Sequence, residues 1–161
     1  MEESKMVLEP AREILKKIYQ SAARLNEASD QFSQELRTIE QELNEARPGL
    51  DFTYRGRYLM VSDAWSEEDD RGEMAGTFRT VHYLAYGKHR DAWKLLVREY
   101  IEKVADDEAE DVLTDTVPLL DASRDLRIEA AELILEFLTS LWEKSEKKIA
   151  SVEKVKDARK S

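Results

Sequence analysis

Apolar residues recur every seven positions through the first third of the chain. Leu15, Ala22, Ser29, Leu36 and Leu43 form one series, and Ala11, Ile18, Leu25, Phe32, Ile39 and Ala46 a second, offset by three. Ser29 alone among them is polar. Alternating spacings of three and four put both series on one helical stripe, and a repeat sustained this long calls for a partner helix. Pro10 fits the first turn of such a helix, where its missing N–H has no intrahelical acceptor. Pro48-Gly49 ends it, because proline disfavours the α-region at the preceding residue. The pattern predicts a long helix within residues 1–47.

A second long helix is predicted over 121–155, with Pro118 ahead of it and Asp121 or Ser123 able to cap its first turn. Ile128, Leu135, Trp142 and Ile149 form one seven-residue series, and Ala131, Leu138, Ser145 and Val152 the offset one. A further face carries Leu126, Ala130, Leu133 and Phe137, with Ile134 and Leu141 filling the gap. A helix apolar on most of its circumference must be covered on more than one side. The first helix is expected to cover the heptad stripe. Leu126, Leu133, Phe137 and Leu141 are then left for another partner, either the β-rich segment or a second subunit, with the subunit favoured. The tail 156–161 is expected to fray.

Between the helices, in 50–104, the period changes from seven to two. Phe52 to Tyr54 and Arg57 to Val61 flank Arg55-Gly56, which predicts a tight hairpin. Thr77 to Tyr86 and Ala92 to Tyr100 flank a turn at Gly87 to Asp91 and predict a longer one. Residues 92–104 also fit a helical period through Trp93, Leu96, Val97, Tyr100, Ile101 and Val104, with strand the preferred reading. Segments 62–76 and 105–120 read as acidic connectors. The expected architecture is a single α+β domain over 1–161. Two heptad-patterned helices pack as an antiparallel hairpin and bracket a small antiparallel sheet of about four strands.

Composition narrows the function. With 37% charged residues, five Gly and three Pro, the chain suits long solvated helical faces. The absence of Cys closes thiolate-metal, disulfide and cysteine-nucleophile chemistry. No secretory signal and no span of about 20 apolar residues is visible, so a cytoplasmic protein without membrane contact is expected. The net charge of −10 disfavours general binding to nucleic acid. His82 and His89 lack a metal-ligand spacing, and Glu67-Glu68-Asp69-Asp70 and Asp106-Asp107-Glu108 lack the spaced oxygens of a calcium loop. No cofactor is expected, and no catalytic motif points to an enzyme. One segment runs against the acidic trend: Arg79, Lys88, Arg90, Lys94 and Arg98 stand in 77–98 against Asp91 alone. Aromatic residues, Tyr83 among them, are interleaved with these cations.

The expectation is a non-catalytic interaction or structural module, forming a homo-oligomer or binding another protein through helical surfaces. The alternative is an anionic-ligand or single-stranded nucleic-acid site at Arg79, Tyr83, Lys94 and Arg98, where cations beside aromatics can hold a strand by charge and stacking. Internal pairing of those cations with the flanking acidic segments is the favoured reading of the island. Two long helices flanking β-hairpins also resemble, in topology, prefoldin, whose hairpins assemble its subunits. That resemblance implies a chaperone role as a further alternative.

Overall fold

The computed structural model describes residues 2–106 and 108–160. Helix α1 spans Glu2–Ala46. It starts well before the heptad stripe, so Pro10 lies inside it rather than in its first turn, where it withdraws one N–H from the i→i−4 ladder. The helix stops before Pro48. Arg47 turns left-handed at φ 50° while its N–H still reaches the Leu43 carbonyl at 3.0 Å, and Gly49 follows at φ 63°.

Among the described residues six strands follow, not about four: β1 (Phe52–Thr53), β2 (Met60–Val61), β3 (Trp65–Glu68), β4 (Met74–His89), β5 (Ala92–Lys103) and β6 (Val112–Pro118). Every pairing is antiparallel, and β4 is the spine. β5 runs beside it from Phe78↔Lys103 to His89↔Ala92, so 92–103 is strand and not helix. Their two-residue turn holds Arg90 and Asp91 at φ 49° and 66°, the twist-matched conformation that joins such hairpins. Along the other side of β4 lie β1, β2 and β3, end to end, opposite Tyr86, His82 and Phe78. The hairpin expected across Arg55-Gly56 therefore does not form: β1 and β2 are successive pieces of one broken edge strand. β6 closes the far edge against β5. Both β3 and β6 fall in segments whose acidity argued for connectors.

A 3-10 turn at Leu119–Asp121 leads into helix α2, Arg124–Lys160, whose Leu126 N–H reaches the Ser123 hydroxyl at 3.4 Å. The helix runs on through the tail expected to fray. Side-chain alternation sends Leu84, Tyr86, Leu95 and Val97 to one face of the sheet. There they meet Leu36 of α1, Leu119, and Ala130, Leu133, Phe137 and Leu141 of α2 in one buried cluster. The chain is thus α+β, with both helices on the same face.

The helices do not form an antiparallel hairpin. Arg124 at the start of α2 donates to Asn26 at 2.9 Å, and Arg127 to Ser33 at 3.0 Å. Beyond the end of α1, the Asp51 carbonyl accepts from Lys144 at 2.6 Å. Contacts advance in the same sense along both, so α1 and α2 run in the same direction. The β-segment between them returns the chain to the starting end. Heptad spacing fixes which face of a helix is apolar and says nothing of its direction, which is why the sequence allowed the wrong choice.

Candidate interaction surface

Pairing of β4 with β5 puts Arg79, Tyr83, Lys94 and Arg98 on the sheet face turned away from the helices. The four positions thus share one face. Two of the three cations are engaged from within the chain. Arg98 forks onto Asp51 at 2.8 and 2.7 Å and also reaches the Thr53 hydroxyl at 2.6 Å. This pair lies so close over the strand that a Cβ on Gly87 would collide with the Asp51 carboxylate. Arg79 donates to Glu102 and, at 2.8 Å, to the Tyr58 hydroxyl. Arg55, absent from the expected set, donates to Asp111 at 2.7 Å with its guanidinium 5.0 and 4.6 Å from the Tyr83 and Tyr100 ring centres. Lys94 is the member of the set with no hydrogen bond or ion pair among the described residues. Tyr83 is buried beneath this layer, and that burial, with Tyr58 and Glu102 nearby, pushes its phenol above the ordinary value of 10.

The expected partner-binding face on α2 lies elsewhere. Leu133, Phe137 and Leu141 are buried against the sheet, with Leu126 packed at the edge of the same cluster. Phe137 sits 5.5 Å, ring centre to ring centre, from Phe52 of β1. The sheet, not a second subunit, covers this stripe. What α2 leaves in water is part of the heptad stripe expected to be covered: Leu135 is 74% exposed and Trp142 63%.

The larger open surface is on α1. Its heptad stripe is covered only from Ser29 onward, where the 3-10 turn, α2 and β5 lie against it. Ahead of that point Leu8, Leu15, Ile18 and Leu25 are 43–55% exposed. Ile14 and Tyr19, outside the two heptad series, widen the stripe and are also exposed. Residues 2–25 thus form a helical arm of about 36 Å. It leaves the body at one end, while 152–160 of α2 extend past it at the other.

The remaining polar grouping is His82, whose Nε2 lies 2.9 Å from Glu99, itself accepting from Thr114 at 2.7 Å. The pair lines a cavity of about 260 Å³ with Asp115, Asp121, Ser123 and Leu126. Nδ1 of the ring has no partner among the described residues, and Ser123 instead accepts from the α2 backbone. A carboxylate thus orients the imidazole, but no nucleophile is bonded to it. Among the described residues no three His, Asp or Glu side chains gather as metal ligands, and no helix is long and apolar enough to cross a membrane. Asp107, in the middle of the second acidic run, lies outside the described residues.

No family model, curated protein or solved structure matches this chain.

Proposed function

We propose that this protein is a non-catalytic interaction module that associates with further copies of itself through the free arm of α1. The observation that supports this reading is the continuity of the heptad stripe. One half, from Ser29 to Leu43, is covered by the chain's own turn, second helix and sheet. The other half, from Leu8 to Leu25, carries the same pattern and is left exposed by the described residues. Helices in proteins draw most of their stability from tertiary packing of an apolar face, and an apolar stripe left open is an association liability. A second copy removes both problems. The contact moves from Leu126, Leu133, Phe137 and Leu141 to the arm, while the class of function expected from the pattern is kept.

The anionic-ligand reading loses its main support, because Arg79 and Arg98 spend their donors on Glu102, Tyr58, Asp51 and Thr53. The prefoldin-like reading loses its basis with the antiparallel hairpin. Light scattering tests the proposal. The parent at tens of micromolar is expected at twice its chain mass or more. Leu15→Glu with Ile18→Glu, which alters no buried contact within the chain, is expected to remain folded at the mass of one chain. A parent that stays monomeric at that concentration would refute the proposal.

A further inference from the structure

The arm carries more than an unpartnered stripe: its layers read the same in both directions. From Leu8 the heptad positions run Leu8, Ala11, Leu15, Ile18, Ala22, Leu25. Large and small side chains alternate about a centre between Lys16 and Lys17. Resting on the self-association proposed above, the geometry points to a closed two-fold dimer in which two arms pack antiparallel. Leu8 then faces Leu25 of the second copy, Ala11 faces Ala22, and Leu15 faces Ile18. An interface with a two-fold axis must be self-complementary, residue i meeting j while j meets i. This sequence of sizes meets that condition. The two alanine layers allow close approach of the helices, and the leucine and isoleucine layers fill the space between them as knobs in holes. Tyr19 falls on the same side of the seam as Arg12 of the second copy, a cation beside an aromatic ring.

A parallel pair would also match each layer with its own copy, so size alone does not choose between the two. The body does. From Ser29 the stripe is already occupied by the 3-10 turn and the start of α2, with Arg124 bonded to Asn26. A parallel partner helix would have to continue to its own residue 46 through that occupied space. In an antiparallel pair centred between Lys16 and Lys17, the partner's stripe from Leu8 to Leu25 lies wholly opposite the uncovered half of the arm. Charge favours the same arrangement. The chain carries −10 overall, whereas the arm sets Lys5, Arg12, Lys16, Lys17 and Arg24 against Glu2, Glu3, Glu9 and Glu13. The acidic surplus therefore lies in the bodies, which antiparallel arms hold at opposite ends of the dimer and parallel arms would bring side by side. Lys16 and Lys17, at the dyad, lie on the outer side of the helix away from the seam.

The absence of cysteine makes the register directly measurable. Ala11→Cys and Ala22→Cys chains are prepared separately, mixed, and equilibrated in a glutathione redox buffer, with solution mass measured in parallel. The expected result is a disulfide between the two variants in the mixture and little or none within either variant alone. Cross-linking of Ala11→Cys with itself would show parallel arms and overturn the inference while leaving self-association standing. Dimer mass without any cross-link would place the contact outside the arm stripe and overturn it as well. Monomer mass throughout would remove the proposed self-association itself.

Discussion

The side-chain oxygen of Asn26 accepts a hydrogen bond of 2.9 Å from Arg124, joining the middle of α1 to the first residue of α2. This contact marks where α1 enters the body. Twenty-odd residues of heptad-patterned helix precede it without cover among the described residues, and the α1 stripe after it, from Ser29 to Leu43, is packed. Because the two helices then run in the same direction, their uncovered ends point opposite ways. The arms are consequently not each other's partners within one chain, and a surface that sequence assigned to an intramolecular hairpin becomes available to a second molecule.

The sheet-facing stripe of α2 gives the first prediction. Leu133 and Phe137 are buried against the β-sheet. Leu133→Gln with Phe137→Gln places two amides where no hydrogen-bond partner waits and removes packing worth several kcal/mol. The expected loss is at least about 5 kcal/mol, comparable to the whole stability of many domains. The variant should melt far below the parent or fail to fold, as read by circular dichroism. A folded monomer with intact helix content would return this stripe to the role of a subunit contact.

The opposite stripe gives the reverse expectation. Leu135 and Trp142 lie mostly in water, so Leu135→Gln with Trp142→Gln should change stability by no more than about 0.5 kcal/mol. Urea titration measures it. A loss of several kcal/mol would mean that this part of α2 is covered in solution.

The basic layer behind the sheet is predicted to be structural. Arg79→Glu with Arg98→Glu sets like charges against Glu102 and Asp51, whose present partners it removes. Glu102 and Arg98 are largely buried whereas Arg79 and Asp51 reach solvent, so each broken pair is expected to cost about 1–3 kcal/mol beyond the new repulsion. No binding of single-stranded DNA or RNA is expected for the parent near 0.15 M salt. Fluorescence anisotropy that rises with the parent and not with the variant would establish the anionic-ligand reading instead.

Tyr83 supplies a pH prediction. Its phenol is held above 10 in the folded chain, chiefly by burial. On unfolding it returns to its ordinary value, so above that pH the unfolded state loses the proton first. The protonated, folded form then binds more protons, and stability falls as pH rises from about 10 towards the folded value. Tyr83→Phe removes this dependence. Its unfolding midpoint is expected to decline less than that of the parent between about pH 9 and 11, Tyr54 and Tyr86 supplying the remaining slope. Equal decline in both would show that Tyr83 does not carry the effect.

The two long helices and the β4–β5 pairing were legible because burial imposes a period of about 3.6 or of 2 on their residues. β3 and β6 were not. Trp65-Ser66-Glu67-Glu68 has two acids in a row, and Val112 to Asp115 are exposed side by side. Edge strands with so little cover obey no strict alternation, and their acidity resembled that of loops. The broken edge made by β1, β2 and β3 depends on pairing with β4, which local sequence does not encode. For the candidate surface, the heptad repeat from Ala11 to Ala46 called for a partner helix along its whole length. It could not mark Asn26 as the point where the intramolecular partner begins, because that depends on the long-range contact with Arg124. The width of the α2 stripe likewise announced two neighbours without saying that the sheet would take Phe137 and leave Trp142 open.

Hydrogen exchange of the backbone amides in residues 8–25 of the intact chain, followed across a dilution series alongside the solution mass, tests whether the α1 arm is packed on a second copy. A lone arm has no tertiary cover and exchanges close to the rate of a fraying helix, whereas an arm packed on a second copy is protected to the extent that the dimer persists. Strong protection of this segment is expected at dimer mass, lost on dilution in step with the fall to single-chain mass, while residues 81–86 of β4 stay protected throughout. Rapid exchange in 8–25 while the mass is still that of a dimer would contradict it.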